Sequence, residues 1–298
     1  MIFCKLNTIF ISAIFINFLQ SAAYSQICLK DSLAMQAILD TNGYPDVDVH
    51  SQINVSNGRI YSINFGRLPA SEILPHIGCL PSQIGDLDSL KYLEVFWQPL
   101  SYVSDSIGKL KSLKRIDFHA NLLRNFPEGI KHLPSLQYLD ISSNPIYSID
   151  DNTFYELINL LSLDLSLNQF SILPVSIGNC KKLNAIYLNS CNLYSLPDEL
   201  ASLNIYNIDI GYNHICHPSP AIEQWLDSIL IPEWEITQDC TDAAHYSPAI
   251  SWLSKDFGPR GAISFQPATR FSISNPNSGL KRYDAAGRVV KSAVVRRR

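Results

Sequence analysis

Apolar residues return along the middle of this chain at a nearly fixed interval. Leu90, Leu113, Leu136, Leu160, Leu183 and Ile205 stand 23, 23, 24, 23 and 22 residues apart. Apolar residues recur three and five places behind each start, as Leu93/Val95, Ile116/Phe118, Leu139/Ile141, Leu163/Leu165, Ile186/Leu188 and Ile208/Ile210. Eight places on stand Asn121, Asn144, Asn168, Cys191 and Asn213, and only Gln98 departs. Pro127, Pro174 and Pro197 fall fourteen on; Ile107, Ile130, Ile177 and Leu200 fall seventeen on. A degenerate first unit starts at Ile60 with Ile63 and Phe65, carries about seven extra residues, and regains register at "PSQIGDL". A unit this short cannot bury its apolar face alone, so its neighbours must stack on it and share one continuous core.

These spacings, with the "LP-x-x-I-G-x-L" segments of "LPVSIGNC" and "FPEGIKHL", resemble the plant and bacterial versions of the leucine-rich-repeat family. The resemblance covers Ile60 to Asn213. It implies an α/β solenoid: a curved horseshoe of about seven repeats with a parallel β-sheet on its concave side. "CLKDSLAMQAILDTNG" resembles the N-terminal cap of secreted members, with Leu33, Ala37 and Ile38 at helical spacing. "NHICHPSPAIEQWLDSILIPEWEITQDC" resembles a C-terminal cap, with Trp225 and Leu226 on a short helix. Such covers keep the end slices of the core from water. The expected division is a leader at 1–25, a cap at 26–59, repeats at 60–213, a second cap at 214–253 and a basic tail at 254–298. Within that tail, "YDAAGRVV" resembles the C-terminal sorting domains of type IX secretion substrates; a hairpin or a loose basic tail is the alternative.

The opening stretch has one lysine, an apolar run from Ile9 to Leu19, and small residues at Ser21, Ala22 and Ala23. It reads as a signal peptide cut after Ser25, since the run is short for a membrane span. No second apolar stretch reaches membrane length, so the expected location is secreted or at the cell surface, without a stable span. From Lys255 onward there are ten basic and two acidic residues, which leaves 13 basic and 25 acidic residues before it. An acidic body argues against nucleic acid as partner, because phosphate contacts need Lys and Arg.

Strand alternation turns the repeated leucines inward and the residues between them outward. One outward column reads Asn64, Glu94, Asp117, Asp140, Asp164, Tyr187 and Asp209. Stacked acids about 4.8 Å apart repel and attract counter-charge, for which Lys114 and Arg115 are at hand. The same column also follows the consensus, which itself reads "LDLS". Beside it stand Tyr61, Tyr92, Phe96, Trp97, Tyr138, Tyr187, Tyr206 and Tyr212, with Arg115 and His119 among them. That mixture suits a protein-binding face. Carbohydrate stacking on Tyr92 and Trp97 is the rival. "EVFWQPL" is the least template-like strand, so Phe96 and Trp97 are the expected seat of specificity, unless Trp97 packs under the first-unit insertion. The candidate partner-binding set is therefore Tyr92, Glu94, Phe96, Trp97, Arg115, Asp117, His119, Tyr138, Asp140, Asp164, Tyr187, Asp209 and Tyr212. The expected ligand is a protein, with a glycan as alternative, and no cofactor is expected.

Six cysteines remain once the leader is removed. Cys180 and Cys191 sit at core positions of the repeat and are expected inward and reduced. Cys216 and Cys240 bracket the C-terminal cap and are expected to pair. The alternative is a metal site from His214, Cys216, His217, Cys240 and His245, weaker in an exported chain without a C-x-x-C pair. Elimination leaves Cys28 and Cys79 as a candidate clasp. "DTNGYPDVD" lacks the glycine and glutamate placement of a calcium loop, and "NVS" at Asn54 is a glycosylation sequon only in a glycosylating host. Phosphate-cradling "GxxxxGK", "GxSxG", "HExxH" and kinase signatures are absent. A shallow concave face is also a poor place to exclude water from a reaction, so an enzyme is not expected.

Overall fold

The computed structural model describes residues 27–66, 76–229 and 234–240, together with 282–283 and 289–290. The candidate leader, most of the first-unit insertion and most of the tail lie outside these residues. The chain divides into two compact units, Met1–Ser247 and Pro248–Arg298.

The first unit opens with helix α1 (Leu29–Thr41), followed by strands β1 (Ile53–Ser56) and β2 (Arg59–Asn64). Eight further strands come in turn: β3 (Cys79–Leu80), β4 (Tyr92–Glu94), β5 (Tyr102–Val103), β6 (Arg115–Asp117), β7 (Tyr138–Asp140), β8 (Ser162–Asp164), β9 (Ala185–Tyr187) and β10 (Asn207–Asp209). Helix α2 (Pro220–Ile229) follows them. One eight-stranded sheet runs β1-β2-β4-β6-β7-β8-β9-β10, and β3 pairs with β5 in a small second one. β1 and β2 form an antiparallel hairpin. Every other pair in the large sheet is parallel and in register. Ile63, Leu93, Ile116, Leu139, Leu163, Ile186 and Ile208 accordingly form one row across it, as the period requires. All but Ile208 are buried, against a core that includes Phe65, Phe118, Phe154 and Phe170.

The return segments are short 3-10 turns: Ser82–Asp86, Asp105–Lys109, Glu128–His132, Val175–Asn179 and Asp198–Ser202. The recurrent prolines explain where they start. Pro81, Pro127, Pro174 and Pro197 each immediately precede a turn, with φ between −74° and −63°. Proline holds that φ and lacks the N–H that would be orphaned there. Ser104 substitutes in the remaining turn, and its hydroxyl accepts from the Ser106 N–H at 3.3 Å. The glycines of the "IG" pairs are needed for close stacking. A Cβ on Gly129 would lie 2.5 Å from the Asp105 carbonyl oxygen and 2.6 Å from Ile107 Cγ2. Gly129→Ala should therefore cost about 1–3 kcal/mol by overpacking, read as a lower urea midpoint at unchanged slope.

The caps close the two ends of the core. Helix α1 buries Ala34, Met35, Ile38 and Leu39. This corrects the helical face expected from sequence: Leu33 is exposed and Ala37 only half-buried, because Met35 supplies the bulk that fills the space. At the other end Pro220 opens α2, and the Ser219 hydroxyl accepts from the Ile222 N–H at 3.2 Å. Ile222 and Leu226 are buried, with Trp225 packed alongside. Cys216 and Cys240 form a disulfide across this cap. That bond uses both sulfurs and removes the zinc alternative; His245 lies outside the described residues. Cys28 is a free thiol, so the candidate clasp to Cys79 does not form. Cys180 and Cys191 are buried free thiols, both pushed up to about 12 by burial.

In the second unit, Arg282–Tyr283 (β11) pairs antiparallel with Val289–Val290 (β12). Among the described residues no helix is long and apolar enough to cross a membrane.

Candidate functional site

Asparagines turn the chain out of β6, β7, β8 and β10. Asn168 Nδ2 donates to the carbonyls of Ile141 (3.1 Å), Leu165 (2.8 Å) and Ser166 (3.3 Å), while its Oδ1 accepts from the Ile146 N–H (3.2 Å). Asn121, Asn144 and Asn213 repeat the arrangement in their own units. Gln98, which breaks the sequence pattern, keeps the function through its longer side chain. Its Nε2 donates to the Phe65 carbonyl and its Oε1 accepts from the Ile77 N–H. Cys191 keeps a weaker version, with Sγ 3.1 Å from the Leu165 carbonyl. Just before this position the backbone is left-handed in every unit from β4 onward, at Trp97, Ala120, Ser143, Leu167, Ser190 and Tyr212, with φ of 54° to 58°. None of these is glycine. Left-handed backbone there turns the chain without sheet geometry.

The column expected on the outward face forms in register: Asn64, Glu94, Asp117, Asp140, Asp164, Tyr187 and Asp209 lie side by side. Its acids are less free than the sequence suggested. Asp140 Oδ1 accepts from the N–H and hydroxyl of Ser142 (3.0 and 2.7 Å), and Asp164 Oδ1 does the same with Ser166 (2.9 and 2.6 Å). Asp117 Oδ1 takes the His119 N–H at 3.3 Å, and Asp209 Oδ1 the Gly211 N–H at 3.0 Å. Each carboxylate thus closes a turn two residues long, as Asx side chains do. Asp164 is therefore scaffold as well as surface, a second task that membership of the outward column did not imply. Asp117 is buried and Asp140 and Asp164 are half-buried.

Stacking these acids has an electrostatic consequence. Burial among the strands, and then the neighbouring Asp140 carboxylate, push Asp164 up to about 7, with the Ser166 bonds and His119 opposing. Asp140 is raised in the same way by burial and by Asp117. Glu94 is raised by burial, against the pull of Arg115. A carboxyl raised in the folded state binds its proton more tightly folded than unfolded. Its stabilising effect is complete in acid and is lost as pH climbs from about 4, the ordinary aspartate value, through the folded value near 7. The groups facing Asp164 are Asp140 on β7, Tyr187 on β9 and, one strand further, His119. Asp164→Asn keeps the turn acceptor and removes the charge. It should flatten the pH dependence of unfolding between pH 5 and 8 and stabilise the chain at pH 8 by on the order of 1–2 kcal/mol.

Around the acids lies an aromatic group. Tyr92, Trp97 and Tyr138 are 38%, 45% and 42% exposed. Phe96 stacks on His119 with ring centres 4.8 Å apart and planes at 11°, and Trp97 meets the same imidazole edge-on at 6.4 Å. The Phe96 ring occupies the space where a Cβ on Gly66 would sit, 2.1 Å from its Cζ. His119 Nδ1 lies 2.6 Å from Asp117 Oδ1. Burial lowers this imidazole's proton affinity, but the Asp117 carboxylate outweighs that and leaves it raised. Arg115 bridges Glu94 (3.4 Å) and Asp117 (3.5 Å), supplying the expected counter-charge. Strand register thus brings Tyr92, Glu94, Phe96, Trp97, Arg115, Asp117, His119, Tyr138, Asp140 and Asp164 onto neighbouring rungs. Asp209 and Tyr212 lie at the far end of the sheet. Tyr187 is tied by the Asn207 amide at 2.6 Å.

The family model for leucine rich repeat matches residues 88–146 and 136–193. This stretch is a run of leucine-rich repeats. With the in-register parallel ladder, the fold of the repeat region is the leucine-rich-repeat solenoid. Among solved structures, a leucine-rich-repeat protein of Leptospira interrogans is 30% identical over 50% of this chain and 38% of its own, with a TM-score of 0.47. A plant ice-binding protein is 24% identical over 63% and 65%, with a TM-score of 0.53, a likeness of fold alone. An internalin from Listeria monocytogenes is 21% identical over 58% and 46%, with a TM-score of 0.45. The chain spans less than two thirds of each of these proteins. No curated protein matches it.

Proposed function

We propose that this leucine-rich-repeat chain is an exported module that binds another protein through its strand face. Leucine-rich repeats generally serve protein–protein interaction. The observation that carries the reading is the group of exposed rings, Tyr92, Trp97 and Tyr138, beside the acidic column. Such rings bury large apolar area at little entropic cost, and the acids orient a basic or mixed partner and speed its approach. The disulfide at Cys216–Cys240 supports export, since such bonds persist in oxidising compartments.

The test compares the full chain with a Tyr92→Ala/Trp97→Ala/Tyr138→Ala variant in pull-downs from the native extracellular milieu, at rising salt. Capture of a defined protein that weakens with salt and is lost in the variant supports the proposal. Binding that tightens with salt opposes it. A glycan array with a Phe96→Ala/Trp97→Ala variant examines carbohydrate recognition: a glycan signal lost with the two rings would make sugar the ligand.

A further inference from the structure

We propose that Asp117, His119 and Asp140 form a binding site for a divalent first-row metal ion on the strand face. One nitrogen or oxygen donor from each lies within 4.8 Å of the other two. Two in-register strands and one stacked ring bring them together. Asp117 and Asp140 are direct neighbours on β6 and β7, and His119 follows two residues after Asp117.

Three features separate this group from an ordinary run of acids. The first is the imidazole, which Phe96 stacks against and Trp97 abuts, so its nitrogen is held in place before any ion arrives. The second is unused donor capacity in buried surroundings. The Asp117 side chain is only 9% exposed, yet among the described residues the one hydrogen bond to its Oδ2 is a 3.5 Å contact from Arg115. Asp140 makes its turn bonds through Oδ1 alone, which leaves Oδ2 available. The third is the distribution of cations. Arg115 serves Glu94 and Asp117, and no basic side chain among the described residues pairs with Asp140 or Asp164.

One imidazole with two carboxylates is a set for ions of intermediate softness such as Zn²⁺ or Co²⁺, since calcium prefers oxygen alone. Zn²⁺ takes nitrogen at about 2.0–2.1 Å and carboxylate oxygen at about 2.0–2.2 Å. The present 2.6 Å hydrogen bond between His119 Nδ1 and Asp117 Oδ1 would give way to a separation of about 3.3 Å across a tetrahedral zinc, an opening of about 0.7 Å by side-chain rotation. Three protein donors leave coordination positions for water, or for an acidic group of a second molecule.

The site is tested with zinc alone, so its failure says nothing about protein binding by the same face. The full chain, stripped with chelator and carrying Cys28→Ser to remove the half-exposed thiol, is titrated with Zn²⁺ by calorimetry. Co²⁺ then serves as an absorbing substitute. The expected result is one ion per chain, a Co²⁺ spectrum of mixed nitrogen and oxygen ligation, and at least tenfold weaker binding in both His119→Ala and Asp140→Asn. Asp140→Asn retains the turn acceptor, and a melting curve in chelator reports whether each variant is folded. Zinc that is not retained, or that both folded variants retain as well as the parent, would overturn the proposal.

Discussion

Arg59→Ala is expected to destabilise the chain by about 3–5 kcal/mol, the range for stripping one partner from a buried ion pair. Asp31 sits in the first turn of α1 with its side chain fully buried. Arg59 reaches it from β2 with Nε 3.2 Å from each carboxylate oxygen and Nη2 3.0 Å from Oδ1; the Ile60 N–H adds a 2.7 Å bond to Oδ2. Without the guanidinium, one backbone N–H among the described residues remains against a carboxylate removed from water. Arg59 also pairs with Asp88, which Lys30 holds at 2.9 Å, but that outer pair is exposed and contributes little. An apolar pair, Asp31→Leu with Arg59→Met, should recover only part of the loss, because it removes the buried charge but leaves the Ile60 N–H without its acceptor. Urea unfolding of the two singles and the double provides the cycle, and a single Arg59→Ala cost under about 1 kcal/mol would contradict the buried-pair account. The consequence reaches the site. This pair ties α1 to the hairpin whose second strand pairs with β4, the strand of Tyr92 and Glu94.

Asn168→Leu should cost about 3 kcal/mol or more. The substitution conserves size but orphans the buried Ile146 N–H and weakens the satisfaction of the Leu165 and Ile141 carbonyls. Each buried group left unpaired costs about 1–3 kcal/mol. Cys191, which occupies the same rung of its own unit, shows that the ladder tolerates a weak bonding group at one place. Asn168→Cys should accordingly cost less than Asn168→Leu. Equal costs would mean that packing, rather than hydrogen bonding, sets the requirement.

Asp164 and Asn168 of "LDLSLN" show how far the sequence could be read. Asn168 was legible because it recurs at a fixed offset among apolar neighbours, and a polar group at a core position has to satisfy something. Asp164 was legible as a member of a column, and the strand register aligns it with Asp140 and Tyr187. Its second task was not drawn from the sequence, although the signal was there: a serine two residues on, in both Asp140/Ser142 and Asp164/Ser166. Gln98 looked like a defect because residue identity changed while reach compensated. The left-handed residue of each unit left no trace, since Trp97, Leu167 and Tyr212 are not residues that advertise positive φ. Nor could spacing reveal the His119 cluster. The stack of Phe96 on His119 joins consecutive units and depends on Gly66 leaving room.

In the proposed function the strand face, and not the 3-10 side, meets the partner. A photo-crosslinking residue placed at Ser162 on β8, and separately at the half-exposed Val175 on the opposite turn, tests it directly. Crosslinks to one defined protein from position 162 but not 175, abolished when Trp97 and Tyr138 are alanine, are the predicted result. The same protein captured equally from position 175, or captured from 162 without regard to the two rings, would contradict the account.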